Sequence, residues 1–265
     1  MRIISIINLK GGCSKTTTAI NMAAVLAYVH GRKVLLVDND IQANATRFFG
    51  RHSYDMRSME DIYREDQADV RGIIQPAGEA GTGIDLIPAN MNMDAAIIDL
   101  MKDEKQEQTG KLKAALGQVE SEYDFCIIDN PPGIGMNVIN ALACTNDIII
   151  PVKVDKYGMD GMEELYAIAS EIKEFNPNLS SVRGLITMYY KDPQILAGER
   201  VLRQSSYEFY KTNIRYSRKV DAGTFETGGK GLLASSPRSA ACIGYKRFVT
   251  EYLGTLEGKG AVCHA

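Results

Sequence analysis

Six short apolar runs, each unbroken rather than alternating, constrain this chain more than any other feature. They read RIISIIN (2–8), KVLLVD (33–38), IDLIP (84–88), DFCIID (124–129), DIIIPV (147–152) and VRGLITM (182–188). A strand that is apolar at nearly every position must be covered on both faces, as in a parallel sheet held between helices. Helical patterns are expected between and after them, at 15–30, 91–102, 108–120, 136–145, 158–175, 193–211 and 237–254. Strand–helix–strand repetition predicts a doubly wound α/β fold, with a mostly parallel sheet and helices on both faces. The polar stretch 50–83 is expected to insert as short helices and loops. A single domain over 1–256 with a short tail at 257–265 accounts for all 265 residues.

Sheets of this kind bind ligands beyond the carboxyl ends of their strands, so that edge is where chemistry should lie. After the first strand comes NLKGGCSKTTTAI, residues 8–20, leading into an apolar-periodic helix. Strand, glycine turn and helix together form the setting of a phosphate-binding loop. Backbone amides and the helix N-terminus face an anion there, the ammonium of Lys15 neutralises phosphate charge, and the Thr16 hydroxyl suits Mg²⁺. Yet Leu9 and Ser14 stand where the usual G-x-x-x-x-G-K-[ST] pattern has glycines. Ser14 is compatible with the loop if its φ is negative and not if it is positive. Asp38, Asp40 and Asp129 fall at the ends of two further strands, on the same edge. Three acids beside a phosphate loop are placed to hold a metal ion and an attacking water.

These residues carry a resemblance. Lys10-Gly11-Gly12-Cys13-Ser14-Lys15-Thr16-Thr17 resembles the K-G-G-x-x-K-T motif of the deviant Walker A ATPases of the ParA/MinD group, which are P-loop proteins. Asp38-Asn39-Asp40-Ile41-Gln42-Ala43-Asn44-Ala45-Thr46 is similar to their D-x-D-P-Q-x-N-x-T, and Ile127-Ile128-Asp129-Asn130-Pro131-Pro132 to their I-I-D-T-P-P. The ParA-type DNA partition proteins are the best match, from residue 1 to about 254. The resemblance implies an ATPase that binds ATP and Mg²⁺, forms a homodimer with ATP, and in that state binds DNA without sequence preference. A ParB-like centromere-binding partner would stimulate hydrolysis. It further implies that Lys10 reaches phosphate across the dimer and that residues 11–17 hold the nucleotide. Asp40 would position the attacking water, and Thr16, Asp38 and Asp129 would serve the metal. Gln42 and Asn44 either sense the γ-phosphate or cap the following helix. Ser14, Ile41 and Asn130 depart from the family pattern, which bears on turnover more than on binding.

A formal net charge of −3 means that DNA contact requires a local basic patch. Candidates are Arg215, Arg218 and Lys219, and Arg238, Lys246 and Arg247, each group with an aromatic neighbour. The alternative is a MinD-like positioning ATPase acting on a membrane or a protein scaffold. The ending YLGTLEGKGAVCHA, short and barely charged, argues against a membrane anchor. A ligase on the same fold lacks a second constellation for its substrate. Five scattered cysteines without C-x-x-C spacing, and no apolar run near 18 residues, suit a cytoplasmic, nucleoid-associated protein. For Cys13 two readings stand: a thiol of lowered pKa at a helix N-terminus beside two lysines, open to redox switching, or a tolerated small residue.

Overall fold

A computed structural model describes residues 1–77, 83–103, 107–223 and 230–260. Each expected run forms a parallel strand, with ends within two residues of expectation: β1 (Arg2–Ile6), β2 (Val34–Asp38), β4 (Ile84–Ile87), β5 (Phe125–Asp129), β6 (Asp147–Lys153) and β7 (Ser181–Thr187). Among the described residues one further strand, β3 (Gln75–Pro76), lies in the polar insertion and pairs antiparallel with β4. The sheet runs β3-β4-β2-β5-β1-β6-β7. Its register sets Ile6 and Asp38 each opposite Asp129, so β1, β2 and β5 end in line.

Successive strand residues serve opposite cores, as the two-residue period demands. Ile4, Ile6, Leu36 and Ile127 pack with helix α1 (Lys15–Tyr28) and with α11 (Ala240–Gly260) at the end of the chain. Short α2 (Asn44–Phe48) borders that core. Leu35, Val37, Cys126 and Ile128 face the other way, towards α3 (Met59–Arg64), α4 (Asn92–Lys102), α5 (Lys111–Gly117) and α6 (Met136–Cys144). A third cluster joins β6 and β7 to α7 (Lys156–Phe175) and α8 (Pro193–Gln204). Two short helices, α9 (Arg218–Gly223) and α10 (Leu232–Ser235), lead into α11.

The helix expected over 193–211 stops at Gln204. Asp192 accepts from the amides of Gln194 and Ile195 and Pro193 opens the first turn, so its start is sharply capped. Beyond Ser205 the chain extends along β7. The Gly184 amide donates to Glu208 at 2.8 Å, Tyr210 donates to Gly184 at 2.9 Å, and Ile214 donates to Ile186 at 2.8 Å. Gly184 is required there, because a Cβ would lie 2.3 Å from the Phe209 ring. Helix α11 continues to Gly260, past residue 257 where the tail was expected; residues 261–265 lie outside the described residues. It is pinned to the amino end of the sheet, where Asp147 accepts from Arg2, Ser181 and the Tyr252 hydroxyl. No helix among the described residues is long and apolar enough to cross a membrane.

Candidate functional site

The turn between β1 and α1 is held from both flanks. Asn8 donates from Nδ2 to the Pro151 carbonyl at 2.8 Å, and its Oδ1 accepts the Lys10 amide at 2.9 Å. Thr187 Oγ1, at the end of β7, donates to the Cys13 carbonyl at 3.2 Å. Lys15 is only 8% exposed, and its ammonium donates to the Lys10 carbonyl at 2.8 Å. A Cβ built on Gly11 or Gly12 would meet nothing within 4 Å, and both glycines are exposed, so the turn is open to solvent there. The first-turn amides of α1 have no helical acceptor. Amides, a buried ammonium and an open cradle are what a phosphate chain needs. Beside Thr16 and Thr17 a cavity of about 430 Å³ opens, bounded by Asn21, Asn44, Arg47 and Leu232.

Ser14 is left-handed, with φ 72° and ψ 30°, and Gly12 has φ 72°. The condition set on Ser14, a negative φ, is therefore not met, and the loop keeps its shape at a cost of about 1 kcal/mol. Ser14→Gly should release that strain. The expected result is a melting temperature raised by about 2 °C with nucleotide affinity undiminished; calorimetry and titration with ATP check it, and weaker binding would show that the serine side chain contributes.

The acids differ in their surroundings. One oxygen of Asp38 accepts the Thr46 amide and hydroxyl, both at 2.7 Å, and the other accepts the Asp40 amide at 3.3 Å. Burial pushes its pKa up to about 6 against those hydrogen bonds. Asp129 is fully buried, and neither of its oxygens has a hydrogen-bond donor among the described residues. Burial and the nearby Asp38 charge drive its pKa well above the carboxylate range, and the neighbouring Thr16 hydroxyl relieves this only in part. A buried carboxylate with no donor in close hydrogen-bond geometry, near Thr16 and directly opposite Asp38 in the strand pairing, has the chemistry of a cation ligand. Asp40 accepts the Gln42 amide at 2.9 Å and is 8% exposed.

Some expectations change. Asn44 does not cap α2: the residue preceding the helix is Ala43, at φ 53°, and its first turn has no local side-chain cap. Asp38 does that work from the strand end, through Thr46. Cys13 is buried, its thiol donating to the Lys10 carbonyl, and burial raises its pKa despite Lys15, so the activated-thiol reading fails. Of the basic candidates, Arg215, Arg218, Lys219, Arg238 and Arg247 are exposed and Lys246 is half-buried. Helix α9, with Arg218 and Lys219, packs on α10, which packs on α11, with Lys246 and Arg247; Arg215 lies apart from these helices, bridged to Tyr189 just beyond β7. Sequence reading assigned no role to Asn8, Thr187 or Thr46. Asn8 had one signal, its place directly before the turn; Thr187 had none.

Fold and loop together define a P-loop nucleotide-binding protein of the doubly wound type. A family model described as an AAA domain matches residues 1–181. Soj of Bacillus subtilis, a sporulation initiation inhibitor protein, is 36% identical over 243 residues, covering 90% of this chain and 92% of that one. The chromosome-partitioning ATPase Soj of Thermus thermophilus is 31% identical over 97% of each chain. This chain belongs to the ParA/Soj/MinD superfamily. Its fold is also shared with the cobyrinic acid a,c-diamide synthase of Mycobacterium smegmatis, solved with an ATP analogue and magnesium, at a TM-score of 0.81 and 23% identity, over 98% of this chain and 97% of that one.

Proposed function

We propose that this protein is a Mg-ATP-dependent partition ATPase that dimerises with ATP, binds DNA without sequence preference in that state, and is released through hydrolysis stimulated by a ParB-like partner. One observation carries the reading: β1, β2 and β5 end in register, which sets the phosphate turn against Asp38, Asp40 and Asp129. The relatives named above support the partition context, since one of them, similar over 97% of this chain, is a chromosome-partitioning ATPase.

In this reading residues Gly11 to Thr17 cradle the phosphates and Lys15 exchanges its bond with the Lys10 carbonyl for one to phosphate. Thr16 and Asp129 would hold Mg²⁺, which when bound would neutralise phosphate charge. Asp38, fixed by Thr46, sustains that side of the site. Asp40 orients the attacking water, and Lys10 of one subunit stabilises charge developing in the other. ADP release then resets the dimer. The exposed arginines and lysines of the α9–α11 layer meet DNA phosphates, so binding falls steeply with salt.

The test is DNA retention in a gel at low and at physiological salt, with ATP, with ADP and without nucleotide. Retention with ATP alone, lost as salt rises, is expected. Retention without ATP, or none at low salt, would overturn the DNA role and favour a positioning ATPase.

A further inference from the structure

A buried polar cluster that the proposed chemistry leaves unused lies behind the acids. Asn39, Asn130, Asn137 and Tyr63 are buried, with exposures of 0%, 1%, 6% and 1%. Asn39 Nδ2 donates to Asn130 Oδ1 at 2.9 Å and to the Asn137 carbonyl at 3.0 Å. Its Oδ1 accepts the Tyr63 hydroxyl at 3.0 Å, and its own carbonyl accepts Asn137 Nδ2 at 2.9 Å. Asn130 Nδ2 faces the carbonyls of Ile6 and Ile128, at 3.2 and 3.4 Å. Carbonyls only accept, so both amide orientations are determined. Every donor and acceptor of Asn39's side chain is used.

We infer that Asn39 and Asn130, backed by Tyr63, are positioning residues: an amide clamp that fixes the Asp40 and Asp129 segments to each other and to the strand entering the phosphate turn. Strand alternation puts Asn39 on the side opposite Asp38, so the clamp acts through the backbone rather than on the ligand. A shift of Asn39 carries both acidic neighbours with it. A shift of Asn130 moves Asp129 and loosens the contact to Ile6 at the end of β1. Fully satisfied buried networks of this sort rigidify what they join, and a displacement near 1 Å at a reacting group costs up to about 100-fold in rate. The inference rests on the ATPase reading of the site.

The experiment uses the full chain with Mg-ATP, comparing Tyr63→Phe, Asn130→Ala and Asn130→Thr with the unaltered protein. Tyr63→Phe deletes one oxygen, the donor to Asn39 Oδ1, and Asn130→Thr keeps an acceptor oxygen that Asn130→Ala lacks. Expected is a fall in kcat of about 10-fold for Tyr63→Phe and Asn130→Ala, with KM within about 2-fold, and recovery to within about 3-fold in Asn130→Thr. Without nucleotide, amides at 39–42 and 130–137 should exchange faster in the first two variants. Should Asn130→Ala fail to fold, Tyr63→Phe decides alone. An active unaltered protein whose folded Tyr63→Phe variant keeps its kcat, or keeps its amide protection, overturns the clamp and leaves the site reading intact. A chain that hydrolyses no ATP at all overturns the site reading, and the clamp's role with it.

Discussion

Replacing Asp129 with asparagine should make the nucleotide-free protein more stable and, at the same time, blind to Mg-ATP. The carboxylate is fully buried and has no donor among the described residues. Keeping it charged there is opposed by burial and by Asp38. A neutral amide of the same shape removes that opposition, worth about 2 kcal/mol, or a rise of about 4–8 °C in melting temperature. The same change removes the carboxylate proposed to hold Mg²⁺, so stabilisation by Mg-ATP, expected of the unaltered protein, should vanish. Melting curves with and without Mg-ATP check both halves; a destabilised Asn variant would mean that the carboxylate has a protein partner after all. The pH dependence has a definite sign. A carboxyl whose folded pKa is raised stabilises the fold below its unfolded value, and that contribution is lost as pH rises through the folded one. Asp38 therefore withdraws stability between about pH 4 and its folded pKa of about 6, and Asp129 does so above its usual range too. Asp147 works oppositely: burial resists its charge, but Arg2, Ser181 and Tyr252 outweigh it and lower its pKa, so its contribution holds above the unfolded value and fails in acid. Nucleotide-free protein should thus melt higher near pH 5 than at pH 7, and Asp129→Asn should flatten the upper part of that slope.

Lys15→Ala should remove nucleotide binding while sparing the fold. Without ligand the Lys15 ammonium makes a hydrogen bond to the Lys10 carbonyl, at 2.8 Å, from a site only 8% exposed. Losing a bond from a charged group costs about 1.5–3 kcal/mol of stability. With ligand the same ammonium would meet two phosphate groups at the start of α1, in charge-assisted bonds of about 1.5–3 kcal/mol each. The loss corresponds to an affinity lower by about 100-fold or more. Titration with a fluorescent ATP analogue, beside a circular dichroism spectrum, reads both quantities. A folded Lys15→Ala protein that binds ATP as before would remove the turn from the site altogether.

Much of this molecule is written locally. Unbroken apolar runs such as KVLLVD can be buried on both faces only within a covered parallel sheet, so the strands and their layering follow from composition along the chain. The loop and the acids at strand ends are legible for the same reason, since each is a neighbour in sequence of the strand that positions it. Elements that draw their stability from elsewhere are not legible. β3 is two residues long and exists through its pairing with β4, and α9 and α10 are too short to display a helical period. The segment after Ser205 carries Tyr207, Phe209 and Tyr210, which suit a helix face until Gly184 provides a place for the Phe209 ring. The left-handed Ser14, the raised pKa of Cys13 and the commitment of Asp38 to Thr46 are likewise products of packing. So is the asparagine clamp, whose partners lie as far as 124 positions apart in the chain. Local sequence determined the sheet and where the turn and the three acids lie upon it. Tertiary structure alone decided the protonation, strain and partnering of the groups there, because burial and hydrogen bonding depend on residues that meet only after the chain has closed around them.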